Sequence, residues 1–226
     1  METKLEPVDL LISGGIVVTM DGAWRVFDPG AVAVQADRIV VVGPAAELAA
    51  RYAAAEVVDC TGMALIPGLV NGHGHAPMTL LRGLRDDLQL DVWLFGYMLP
   101  VETRFVNEDF CRYGTLLACA EMIRGGTTTF ADMYYFEDAI ATAADQAGLR
   151  AVCAETIMKL PTPDAESYDV SLEYTRSFIE RWQDHPRIVP ALGPHAPYTT
   201  TPEILAQVRQ MADRYNVPIL IHIAET

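Results

Sequence analysis

Five histidines are spread over 226 residues, and four of them close runs that read as β-strands. His73 and His75 stand one residue apart in Val70-Asn71-Gly72-His73-Gly74-His75, directly after an apolar run. In an extended chain residues i and i+2 project to the same side, so this spacing lets two imidazoles grip one ion. Taken alone, the pattern is weak, since a His-Gly-His is more often a loop or a solvated pair. His222 ends Ile219-Leu220-Ile221-His222, where an unpaired imidazole among apolar neighbours is costly, and Glu225 follows three residues later. A hydrogen-bonded core histidine is the alternative there. His195 ends Ala191-Leu192-Gly193-Pro194-His195. The chemistry open to such a set is metal binding by neutral imidazoles, with a nearby carboxylate to move protons. The fifth histidine, in Asp184-His185-Pro186, follows a helical stretch and is expected at the surface.

These side chains meet only if the chain brings its strand ends together. Residues 8–60 hold short Val- and Ile-rich runs split by Gly, Asp and Pro, a β-rich module in a meander-like pattern. Beyond it, strand-like runs alternate with helix-like stretches, about five βα-type strands in all, the last being the Pro218–Glu225 region. Their continuously apolar character is that of parallel strands covered on both faces. Gly125-Gly126 and Gly148 follow two helices where a left-handed cap calls for Gly. Thr201-Pro202 reads as an N-cap followed by Pro at the first helical position. In a parallel βα barrel the C-terminal strand ends converge on one face, so four histidines at such ends argue for a joint site more strongly than any one of them. A closed eight-stranded barrel needs about 250 residues, which this chain lacks once its β module is subtracted. The expected class is therefore α/β: an incomplete (β/α)8 TIM-type barrel over residues 65–226, preceded at residues 1–64 by part of a small β-sandwich domain.

Composition narrows the partners. The chain is 51% hydrophobic and carries a formal charge of -14, with acids scattered along it, so its surface should repel nucleic acid and anionic membranes and suit a small-molecule substrate. The first residues lack a basic segment followed by an apolar one, and no apolar run is long enough to span a bilayer, which gives a cytoplasmic expectation. Cys60, Cys111, Cys119 and Cys153 form no CxxC pair and read as buried free thiols. Met78, Leu81, Trp93, Phe95 and Tyr97 suit a purine pocket or plain core packing, with Trp93 the first choice for the pocket. Glu102, read from its neighbours alone, is a surface carboxylate opening a helix at Pro100.

Several segments in order, PGLVNGHGHAPMTLLRGLRDDLQLDVWL, MLPVE, GTLLACAEMIRGGTTTFADMY, GPHAPYT and HIAET, resemble the amidohydrolase superfamily. Within it they are most similar to the 5'-methylthioadenosine and S-adenosylhomocysteine deaminases, near the chlorohydrolase and cytosine deaminase branch. The resemblance covers nearly the whole chain. It implies that His73, His75 and His222 are metal ligands, Glu225 the catalytic proton shuttle and substrate contact, His195 a second catalytic and substrate-contacting group, and Glu102 a contact to ribose hydroxyls. It implies one divalent metal ion, zinc with iron as the alternative, and a homo-oligomeric deaminase acting on a purine nucleoside. Guanine, cytosine or triazine aminohydrolases, and a catalytically silent assembly subunit, are the other readings.

Some relatives bridge two metals with a carbamylated lysine on the fourth strand. The corresponding run, Arg187 to His195, contains none, and Lys4 and Lys159 are the chain's two lysines, so one metal is expected. The family's histidine on the sixth strand and aspartate on the eighth should lie downstream of Thr226, so the missing strands are expected in cis or from another chain. Relatives also often carry an arginine near the end of the third strand. Here the run is Ala154-Glu155-Thr156-Ile157-Met158-Lys159, so either Lys159 stands in or the substrate lacks the carboxylate that the arginine would meet.

Overall fold

The computed structural model describes residues 5–225, which form two compact units meeting between Gly68 and Leu69. In the first, β1 (Glu6–Ser13), β2 (Ile16–Val18), β3 (Val26–Phe27), β4 (Gly30–Gln35) and β5 (Arg38–Pro44) lead through α1 (Ala45–Arg51) to β6 (Tyr52–Asp59) and β7 (Ala64–Leu65). The larger sheet has the order β5-β4-β1-β6, with β1 and β6 parallel and the other pairs antiparallel. The smaller sheet has the order β3-β2-β7. Val8, Leu11, Ala31, Ala33, Leu48 and Tyr52 form the core of the unit.

The second unit is built on a parallel sheet of order β11-β10-β9-β8, comprising β8 (Leu69–Asn71), β9 (Thr127–Tyr134), β10 (Arg150–Ile157) and β11 (Ile188–Pro194). Sequential strands are spatial neighbours, each pair joined by helix: α4 (Glu108–Arg124), α5 (Glu137–Ala147) and α6 (Tyr168–Trp182). The final helix, α7 (Pro202–Tyr215), repeats Ile204, Val208 and Ala212 on one face and buries them against Ile157, Ile179 and Leu192. Apolar packing lies on both faces of the sheet, with Phe130, Ala151, Cys153 and Ile188 toward the helices and Met133, Ala154 and Ala191 on the other side. This two-sided burial explains why the strands read as continuous apolar runs.

The fifth strand expected from the sequence is only partly formed. Ile219 makes a single parallel bridge to Leu192, while Leu192 N–H donates to Pro218 O and Leu220 N–H to Leu192 O. The segment therefore runs along β11 as an irregular edge. Caps follow the sequence closely: Thr201 accepts from the Ile204 N–H, Gly148 is left-handed at φ 79°, and after α4 the left-handed residue is Gly126, one position beyond the cap. All four cysteines are buried free thiols. No described helix is long and apolar enough to cross a membrane.

Between β8 and α4 the chain forms a 3-10 turn (Ala76–Leu81), then α2 (Leu90–Trp93), which passes through a π-helical segment (Leu94–Met98) into α3 (Leu99–Phe105). Pro100 has no N–H to continue an α ladder, and just before it Leu99 N–H reaches back five residues to Leu94 O. The wider turn places Leu94 and Met98 inward and leaves Glu102 one turn further on. Helix α4 seats the 3-10 turn through a glycine: a Cβ on Gly114 would lie 2.5 Å from the Pro77 carbonyl oxygen and 2.8 Å from its Cα. Gly114→Ala should therefore cost about 1–3 kcal/mol in a denaturant melt. Gly96→Ala, with nothing within 4 Å of the added carbon, should be neutral or slightly stabilising.

Candidate metal centre and adjoining cleft

Strand β8 ends at Asn71, and the chain then turns away from extended geometry, with Asn71 Oδ1 accepting from the His73 N–H at 3.3 Å. His73 and His75 therefore come together from a turn. Their ring centroids lie 5.3 Å apart, and His222 joins them from the edge segment at 5.1 Å from His73 and 5.3 Å from His75. One donor atom from each of the three falls within 4.8 Å of the others, a cluster that can hold a divalent metal ion.

The hydrogen bonds around the rings suit that use. His75 Nδ1 lies 2.6 Å from Met133 O, and His222 Nδ1 lies 2.9 Å from His195 O. A carbonyl only accepts, so each Nδ1 carries the proton and each Nε2 presents a free lone pair, the tautomer that a ligating imidazole needs. Burial lowers the His75 pKa, and the neighbouring rings of His222 and His73 lower it further, against the opposing pull of the Met133 carbonyl. Neutral imidazole is thus favoured, as ligation requires.

Beside the histidines a cleft is lined by Met78, Trp93, Leu94, Met98, Glu102, Met133, Tyr134, Tyr135, Thr156, His195 and Glu225, with His75 and His222 in its wall. Every residue singled out from the sequence as a ligand, proton carrier or substrate contact lies here except His73, which belongs to the histidine cluster alone. His195 sits 5.0 Å from His222 between ring centroids, with its Nδ1 2.9 Å from Thr199 Oγ1. Burial, aided by the His222 ring, lowers its pKa to about 4, which favours the neutral imidazole. Glu225 is exposed and accepts from the Tyr198 hydroxyl at 2.7 Å.

Glu102 departs from what its neighbours in sequence suggest. It is only 4% exposed, and Tyr134 Oη and Tyr135 Oη donate to its two oxygens at 2.8 and 3.4 Å. Burial pushes its pKa up to about 7, partly offset by those two donors. Of the five apolar residues marked as pocket or core, Met78 and Trp93 face the cleft; Phe95 packs near Tyr198, and Tyr97 lies under Arg85. Met98, Met133, Tyr134, Tyr135 and Thr156 were missed, although the last four stand at strand ends and could have been found by the rule that flagged the histidines. Lys159 is exposed and does not line the cleft. His185 is half-buried rather than at the surface, its Nδ1 accepting from Arg187 and Ile188 N–H groups to close the turn before β11.

A sequence model of the amidohydrolase family matches residues 64–226, and one of a bacterial imidazolonepropionase-like composite domain matches residues 30–55. A 5-methylthioadenosine/S-adenosylhomocysteine deaminase of Syntrophobacter fumaroxidans is 48% identical over 217 residues, covering 96% of this chain and 49% of the relative. A 5'-deoxyadenosine deaminase of Methanocaldococcus jannaschii is 48% identical over 174 residues, covering 76% of this chain and 41% of the relative. Among solved structures, an adenosine deaminase of Xanthomonas campestris with bound zinc superposes with a TM-score of 0.96 at 43% identity, covering 99% of this chain and 51% of that one. The chain thus spans about half the length of these relatives. With the family model covering well over half of the sequence and all three clustered histidines inside the matched region, the chain belongs to the amidohydrolase family.

Proposed function

We propose that this chain supplies the first half of the active site of a metal-dependent hydrolytic deaminase. The enzyme removes the exocyclic amino group of an adenine nucleoside or thioether, such as methylthioadenosine, S-adenosylhomocysteine or adenosine, to give the inosine-type product and ammonia. The observation that carries the reading is the clustering of His73, His75 and His222 beside a cleft that also holds Glu102, His195 and Glu225. In the same reading the parallel sheet is part of a (β/α)8 barrel, the first unit is part of a β-sandwich, and the remaining donors lie outside these 226 residues.

One divalent ion, zinc with iron as the alternative, would be held by the three histidines and would acidify the attacking water toward about neutral pH. Glu225 takes one proton of the attacking water and delivers it to a ring nitrogen as the hydroxyl adds to the amino-bearing carbon; it then takes the proton of that hydroxyl and passes it to the amino group, which leaves as ammonia while the ring carbonyl forms. Its exposure leaves it free to swing between these positions, and the Tyr198 hydroxyl steadies it meanwhile. Neutral His195 hydrogen-bonds the charge that develops at the ring. Glu102, poised near neutrality, can accept from or donate to sugar hydroxyls, while Trp93, Met98 and Met78 give the cleft an apolar wall for the purine.

The direct test is ammonia release by the full-length, metal-replete protein, with methylthioadenosine, S-adenosylhomocysteine, adenosine, guanine and cytosine offered separately. Release from the adenosine compounds is expected, and turnover of guanine or cytosine alone would reject the substrate assignment. His73→Ala should lose metal and activity together. Glu225→Gln should keep the metal while turnover falls by at least ~100-fold, as expected for loss of a general acid–base group; metal loss in that variant would remove Glu225 from the role.

Glu102 also ties stability to pH. Its carboxyl ionises near 4.5 when unperturbed and near 7 in the fold, so the folded state holds the proton more tightly. That contribution is complete below pH 4.5 and disappears as pH rises to about 7, a change on the order of 3 kcal/mol. Glu102→Gln stays neutral, so its stability relative to wild type should rise between pH 5 and pH 8 in denaturation midpoints. A parallel pair of curves would contradict this.

A further inference from the structure

Behind the histidine turn lie buried acids that the proposed reaction does not use. Asp132 on β9 and Glu137 at the start of α5 are both 0% exposed. Asp132 Oδ1 accepts from the Ala76 N–H at 2.5 Å, and Glu137 Oε1 accepts from the Tyr134 N–H at 2.8 Å. The second oxygen of each, Asp132 Oδ2 and Glu137 Oε2, has no hydrogen-bond partner among the described residues. Burial raises the pKa of both carboxyls, and the Asp132 charge raises that of Glu137 further.

The strand end that carries Asp132 holds three consecutive residues of the turn. Gly74 O accepts from the Met133 N–H at 3.2 Å, His75 Nδ1 bonds Met133 O, and the Ala76 N–H bonds Asp132. We propose that Asp132, which accepts from the Ala76 N–H, and Glu137, which accepts from the Tyr134 N–H at the same strand end, form a brace that fixes the His73–His75 turn in its metal-binding geometry. The inference rests on the metal-centre reading above. Both are positioning residues, acting through Ala76 and the β9 end without touching substrate. Glu137 is itself anchored: its N–H donates to Glu155 Oε2 at 3.1 Å, and the preceding Phe136, left-handed at φ 55°, gives its N–H to Asp164 at 2.6 Å.

The test uses the full-length protein stripped of metal and titrated with zinc and cobalt against a chelator. Asp132→Ala should weaken metal binding by about 10–100-fold, the usual effect of removing a group that orients a ligand, and should alter the visible spectrum of the cobalt form. In the zinc form kcat should fall with KM little changed. Asp132→Asn keeps an acceptor toward the Ala76 N–H, so it should restore affinity and spectrum to near wild type. A residue that only stabilised the fold would lower the melting temperature and leave the cobalt spectrum intact. Folded Asp132→Ala protein with wild-type affinity and spectrum would overturn the brace, as would Asp132→Asn protein as impaired as the alanine variant. Should Asp132→Ala fail to fold, Glu137→Ala carries the test: it removes the acceptor of the Tyr134 N–H, so weakened metal affinity supports the brace and wild-type affinity overturns it. Wild-type protein that takes up no metal would instead overturn the metal-centre reading, a result that needs no variant and so stays separable from failure of the brace.

Discussion

Two main-chain carbonyls, those of Met133 and His195, decide which nitrogen of His75 and of His222 is free to bind. Neutral imidazole has one N–H and one lone pair, and an acceptor at Nδ1 leaves the lone pair on Nε2. Met133 lies on β9 and His195 directly follows β11, so the electronic state of the candidate ligands is set by where two strands end. The strand ends are held in turn by the helices behind them. Phe130, Ile140, Cys153 and Ile188 pack on one side of the sheet, and Ile179, Leu192 and Val208 fix the other end of it. Packing among side chains far from any substrate therefore reaches the site as a hydrogen-bond geometry.

The acids divide by depth. Most of the charge behind the net of -14 sits on the surface, while Glu102, Asp132, Glu137 and Glu155 are buried. Desolvation raises the pKa of each of the four, but their surroundings differ. Glu102 opens onto the cleft and is held by two tyrosine hydroxyls. The other three accept from main-chain N–H groups: Asp132 from Ala76 at the start of the 3-10 turn, Glu137 from Tyr134 at the end of β9, and Glu155 from Glu137, a donor that the start of α5 leaves without a partner. Buried carboxyls thus serve two ends in one unit: one is exposed to whatever fills the cleft, and the rest fix the backbone behind it.

Much of this was legible before any coordinates. Apolar runs with polar residues at their ends marked β9, β10 and β11, and the histidines at such ends led to the cleft. The spacing of His73 and His75 pointed to a shared ion for a reason that did not hold in detail, since the two rings meet across a turn and not along an extended strand. Glu102 could not be placed from its neighbours, because its burial depends on Tyr134 and Tyr135, some thirty residues away in a different element. The same limit applies to Asp132 and Glu137: as letters they are an acid on a strand and an acid opening a helix, and only the fold reveals that each is buried against a main-chain N–H. The sequence implies a fifth strand where the structure has an irregular edge, because an apolar run specifies burial, whereas a regular ladder also needs hydrogen-bonding partners on its flank.

The carbonyl of His195 accepts twice from one residue, from the His222 main-chain N–H at 3.0 Å and from its ring Nδ1 at 2.9 Å. Backbone alignment and ring orientation are therefore read by a single oxygen atom. Side chains alternate along an extended segment, so a slip of one residue against β11 would turn Ile221 or Ile223 toward the cleft and carry the imidazole to the opposite face. Only one alignment of this edge brings a third imidazole to the other two, which makes the geometry of the histidine cluster dependent on the register of the edge segment against β11.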